Sequence, residues 1–125
     1  MAKACSDAVL DGSLDIVATF TKLIVCTSQP TTYTEANATY ALADVVIDSG
    51  DFTKANGDTS GRKITVAAQS GVLIDTSGTA LHVALVITGS STLHYVTTCT
   101  SQALTANGSN TVNVPAFDIE IADPA

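Results

Sequence analysis

The chain predicts a mostly β fold: an antiparallel β-sandwich, or a partly open barrel, with one short N-terminal α-helix, formed as a single domain over residues 1–125. Three observations carry that expectation. Short β-branched runs bounded by Gly, Ser, Asn and Pro recur at a spacing of roughly 8–12 residues, which suits a sandwich rather than βαβ units. Thr and Ser make up about a quarter of the 125 residues, as on a pleated surface solvated by hydroxyls. Aromatic residues are only 5% of the chain and Trp is missing, so the core must be aliphatic.

The first element is the helix, expected over about 6–18. Ser6 is its candidate N-cap, and Asp7 meets the positive end of the helix dipole. Gly12 weakens the middle by about 1 kcal/mol against Ala. Asp7, Asp11 and Asp15 recur every four positions and line one stripe. Val9, Leu10, Ile16 and Val17 fall largely elsewhere and give the helix an apolar side. A lone three-turn helix is marginal in water, so this side must dock, on the domain itself or on a neighbouring subunit. These four residues are the candidate partner-contact surface.

Lys22 to Cys26 reads as a buried strand that closes at Ser28-Gln29-Pro30. Thr31 to Tyr40 is a polar excursion with room for one helical turn at 34–37. Leu42 to Asp48 and Asp51 to Lys54 are extended candidates separated by Ser49-Gly50, and Asn56 to Gly61 is a dense turn cluster. Arg62 to Ala68 and Gly71 to Asp75 follow as strands on either side of Gln69-Ser70. The last fifty residues hold four more: Gly78 to Thr88, Ser91 to Cys99, Thr111 to Val114 and Ala116 to Ala122. In the last, Phe117, Ile119 and Ile121 alternate with Asp118 and Glu120, which predicts buried isoleucines and exposed carboxylates.

Five basic residues against twelve acidic ones give a net charge of −7. Such a surface repels a nucleic-acid backbone and an anionic membrane alike, so neither is an expected partner. No apolar run approaches the roughly eighteen residues of a membrane helix. Asp7, Asp11 and Asp15 interrupt what would be the apolar part of a leader, so none is expected. The three cysteines, Cys5, Cys26 and Cys99, have no C-x-x-C spacing and predict neither a disulfide framework nor a zinc site. Cys5 is the candidate for an intermolecular disulfide, while Cys26 and Cys99 end apolar strands and read as small hydrophobes.

No residue set predicts catalysis, a cofactor or a metal. His82 and His94 flank a hairpin loop near Gly89-Ser90. A three-residue loop puts them on one face about 13 Å apart, and a two-residue loop puts them on opposite faces, so neither register lets them share an ion. Asp118 and Glu120 sit about 7 Å apart on a wet face, a spacing that overlaps that of glycosidase pairs, but nothing there raises one pKa selectively. Asp48, Asp51 and Asp58 depart from the calcium-loop spacing and are turn residues. The chain is therefore expected not to be an enzyme.

Several stretches together resemble one family: residues 22–36, Asp51-Phe52 with 60–63, residues 78–85, and Tyr95 to Cys99 through 117–124. They are similar to small virion structural proteins encoded by tailed bacteriophages and prophages. The resemblance spans nearly the whole chain and implies a virion component, made in the host bacterial cytoplasm. It implies other virion proteins as partners, the major capsid protein or neck and tail proteins, and a homo-oligomer in the particle. A capsid decoration or cement role is expected first, acting by adhesion. A neck, collar or tail adaptor or ring subunit is the alternative, and a receptor- or glycan-binding module with exposed aromatic platforms is the third.

Overall fold

A computed structural model describes residues 6–121. It is mostly β, with antiparallel sheets and one N-terminal helix, and the sheets do not close into a barrel. The helix α1 (Asp7–Val17) is followed by β1 (Lys22–Cys26), β2 (Ala41–Val46), β3 (Phe52–Asn56), β4 (Arg62–Val66) and β5 (Gln69–Leu73). Then come β6 (Gly78–Ile87), β7 (Thr92–Leu104), β8 (Thr111–Val114) and β9 (Phe117–Ile121). One layer is a four-stranded sheet in the order β2-β1-β6-β7. The other layer is divided into a three-stranded sheet, β3-β4-β9, and a two-stranded one, β5-β8.

The main core lies between the layers. Leu23 and Val25 of β1 and Val83 and Leu85 of β6 point inward from the first layer. Val66, Val72, Val112 and Val114 meet them from the second. The opposite face of β1 and β6 carries Ile24, Cys26, Ala36, Ala84 and Val86 in a smaller cluster. The polar excursion covers it, folding into a π-helical turn at Glu35–Thr39 that brings Ala36 down between Tyr33 and Tyr40. Buried on both faces, β1 reads as an unbroken apolar run for that reason.

The helix closes one end of the sandwich. Ser6 caps it as expected, its Oγ accepting a hydrogen bond from the Val9 backbone N–H at 3.4 Å. α1 packs on β4 and β3, and Leu10, Leu14 and Ile64 are buried. The acidic stripe is turned toward the sheet. Asp11 accepts from Arg62 Nε at 2.8 Å and Nη2 at 3.4 Å, and Asp15 pairs with Lys54.

Four expectations are corrected. Gln69-Ser70 is the start of β5 and not a turn between paired strands: β4 and β5 belong to different sheets, and Gly71, at φ +66°, marks a shift of register against β8. β7 runs on to Leu104, five residues past Cys99, because Gly78, Thr79 and Ala80 at the start of β6 give it partners. The hairpin between β6 and β7 has a four-residue loop, since Ile87 pairs with Thr92, and His94 then bulges between Leu93 and Tyr95. Ile119 and Ile121 are half-buried rather than buried, because β9 is an edge strand with β4 on one side only. Asp118 and Glu120 are exposed as the alternation requires.

Candidate functional site

The expected contact residues of α1 separate into two groups. Leu10 faces the domain and is 6% exposed, and Val17 is half-buried against the main core. Val9 and Ile16 are 61% and 54% exposed. Seven residues apart, they share one helical stripe on the outside of α1. Leu14, an apolar residue of the helix pattern outside the four expected contact residues, is the inward anchor at 1% exposure, four residues after Leu10 on the same face. Of the four expected helix residues, Val9 and Ile16 are thus the exposed ones.

Asp118 and Glu120 are tied into a polar lattice on the wet face of the three-stranded sheet. Asp118 accepts from Thr65 Oγ1 at 2.7 Å and from Lys63 Nζ at 3.4 Å, and Lys63 also donates to Asp58 at 2.7 Å. Glu120 accepts from the Asp58 backbone N–H at 3.0 Å. The Thr65 hydrogen bond, with Lys63 beside it, holds the Asp118 carboxyl below the usual carboxylate range. An acid catalyst needs the opposite shift. These two residues fasten β9 and the turn at 57–61 to β4. Gly57 has no alternative there, since a Cβ would lie 2.0 Å from the Ser60 carbonyl oxygen.

The structure keeps the two histidines apart in role. His94 is exposed and stacks on Phe20, with ring centroids 5.6 Å apart and planes at 6°. His82 is half-buried opposite Cys26 in the β1–β6 register, and its buried Nδ1 finds no hydrogen-bond partner. Cys26 is fully buried, and burial pushes its thiol up to about 12. The Cys99 thiol, partly buried, is raised for the same reason. Both are free thiols. Cys5 lies outside the described residues. No group of three or more His, Cys, Asp or Glu is placed to hold a metal ion among the described residues, and no helix there is long and apolar enough to cross a membrane.

A cleft of about 750 Å³ opens between the layers. Its floor is Val25, Ala80 and Val83, and its walls come from residues 97–100 of β7, residues 112–115 at the end of β8, and residues 117 and 118 of β9. Sequence reasoning missed it, because it is made where three separate sheets end. The aromatic residues do not form a platform. Phe20 is buried, and Tyr33, Tyr40, Phe52, Tyr95 and Phe117 are all half-buried. Tyr95 and Phe117 stack on each other at 6.5 Å beside the cleft.

Comparison with protein-family models, with curated proteins and with solved structures finds no match to this chain in any of the three.

Proposed function

We propose that the protein is a bacteriophage virion structural protein of the capsid-decoration or cement type, acting by protein–protein adhesion. The observation that supports this most is the double character of α1. Leu10, Leu14 and the ion pairs of Asp11 and Asp15 fix the helix to its own sheet, while Val9 and Ile16 stay in water on its outer side. An apolar stripe on an immobilised helix meets a partner with its ordering cost already met by folding. One such stripe buries little area, and the binding becomes strong only when many linked copies engage together. That is the situation on a capsid lattice. The half-buried aromatics give the glycan-binding alternative no platform.

The test is assembly of particles carrying Val9→Asp and Ile16→Asp together. Both residues are outside the core, so the isolated variant is expected to keep its circular dichroism and melting temperature while its occupancy on particles falls. Cryo-electron microscopy of the wild-type particle decides the place. Density on the capsid lattice in hundreds of copies is expected, and a few tens in multiples of three or six moves the protein to the neck or tail. No density anywhere on the particle removes the reading.

A further inference from the structure

Three side chains from different elements meet beside the smaller apolar cluster. Lys22, the first residue of β1, donates from Nζ to Asn37 Oδ1 at 3.0 Å and lies 3.3 Å from Oδ2 of Asp44 on β2. A carbonyl is about 1.2 Å long, so the amine nitrogen is within about 4.2 Å of Asn37 Cγ. A primary amine, a carboxamide and a carboxylate in mutual reach are the nucleophile, the acyl group and the proton carrier of an amide exchange. Among the described residues no other amine has both partners. Lys54 and Lys63 are paired with acids only. Arg62 touches both Asn56 Oδ1, at 2.9 Å, and Asp11, but a guanidinium does not give up its proton.

The surroundings hold the three groups in place and keep water scarce. Lys22 stands in register between Val46 and Val86, and Asp44 is the register partner of Ile24. Ile24, Val86 and Ala36, the neighbour of Asn37, are fully buried, and the Lys22 and Asp44 side chains are 20% and 35% exposed. Asn37 belongs to the π-helical turn, a conformation frequent at functional sites. That turn is braced: the Glu35 carboxylate accepts from the Thr31 N–H at 2.9 Å and hydroxyl at 2.7 Å, and the Glu35 carbonyl accepts from the Tyr40 N–H at 2.8 Å. Moving a proton from Nζ to Oδ2 here turns an ion pair into two neutral groups, which poorly solvated surroundings favour.

We infer that Lys22 and Asn37 join through an intramolecular isopeptide bond, with Asp44 as the catalytic residue. The Lys22 ammonium passes a proton to Asp44, and the freed lone pair attacks Asn37 Cγ. A C–N bond forms as the carbonyl π pair moves onto Oδ1. Asp44 then gives its proton to Nδ2 and takes one from the attacking nitrogen. The carbonyl re-forms, the Cγ–Nδ2 bond breaks, and ammonia leaves, to be protonated by Asp44. Ammonium and a secondary amide are the products, and no other reactant is consumed. The bond closes a loop of 15 residues and staples the turn that covers the smaller cluster to β1. It involves neither the outer stripe of α1 nor the cleft, so it is tested on the isolated protein without any particle.

The test is mass spectrometry of the full chain, held folded in neutral buffer until its mass is constant. The protein is expected to be lighter than its sequence by one ammonia. After denaturation and digestion with trypsin and a glutamate-specific protease, the bond after Lys22 should stay uncut, and the fragments on either side of Glu35 should remain joined. That joining is read on the wild type, so it stands whatever the stability of any variant. Lys22→Arg and Asn37→Ala should keep the full mass, and Asp44→Asn should lose ammonia about a hundredfold more slowly or worse. The linked wild type should melt roughly 10 °C above Lys22→Arg, as expected for a covalent link across a loop of this length. A succinimide at Asn56-Gly57 or Asn107-Gly108 also sheds ammonia, but it joins no fragments and persists in Lys22→Arg. An unchanged mass in the folded wild type, a loss of ammonia that survives Lys22→Arg, or equally fast loss in Asp44→Asn would overturn the proposal.

Discussion

The two ends of the sandwich are finished in different ways. At the α1 end the layers are closed by a helix, with Leu10 and Leu14 buried and Asp11 and Asp15 paired to Arg62 and Lys54. At the β7 end three strands that each end a sheet meet around a cleft, and β7 has no Lys, Arg, Asp or Glu. Two cations, Arg62 and Lys54, fasten the helix to its sheet, while Lys63 sits on Asp118 in the wall of the cleft and Lys22 on Asp44 of β2. Charge thus ties a whole element down at one end and only neighbouring strands at the other.

The sharpest way to break this comparison is to hollow the closed end. Leu14→Ala is expected to cost about 2–5 kcal/mol, because a fully buried leucine leaves a cavity that the surrounding sheet cannot fill. Urea unfolding measures it, and a cost under about 1 kcal/mol would mean the helix is an appendage. Between the two ends, Ile119→Ala should cost less, about 1–2 kcal/mol, since β9 is an edge strand and Ile119 is only half-buried. A full core penalty there would show that the seam is closed in solution by a second molecule.

Acid should loosen both the helix contact and the fastening of β9. The Arg62 hydrogen bond holds Asp11 below its ordinary value of 3.8, and the Thr65 hydrogen bond and Lys63 do the same for Asp118. A carboxyl depressed by folding contributes stability that is fully present above its unfolded value and is lost as pH falls through the folded one. Thermal melts should therefore be flat near neutrality and decline below about pH 4, with Asp11→Asn showing a smaller decline than wild type. The least effect is expected at the seam. Thr100→Val is exposed and off the β6 ladder, and should stay within about 0.5 kcal/mol of wild type.

The parts of the molecule that were legible in the sequence are those set by neighbours a few residues apart. Ser6 announces the helix start, Lys22 to Cys26 appears as β1 with the same bounds, and the alternation of Asp118 and Glu120 with Ile119 and Ile121 gives the wet face of β9. What was hidden depends on partners far along the chain. Gln69 and Ser70 look like a turn until β8 is brought beside them, and Thr100 to Leu104 look like loop until Gly78 to Ala80 pair with them. The candidate contact surface was half legible. Helical periodicity found the apolar residues of α1, but only the position of β4 decides that Leu10 turns inward and Val9 outward. The cleft was not legible at all, since no local pattern records where three sheets stop.

The placement of β1 also shapes how the chain reaches this structure. β1 lies between β2 and β6 and is covered on both faces, but its β6 partners are distant: Leu23 pairs with Leu85 and Ile24 with Ala84. The β6–β7 hairpin closes through a four-residue loop and can form early, whereas β1 must wait for a long loop to shut before its contacts are worth anything. Folding dominated by such distant pairings runs on the scale of milliseconds to seconds. Until β1 arrives, the hairpin shows both apolar faces of β6 to water and to other nascent chains. Dilute, slow refolding should therefore recover more protein than rapid refolding at high concentration, with the losses appearing as aggregate and not as a stable misfolded monomer.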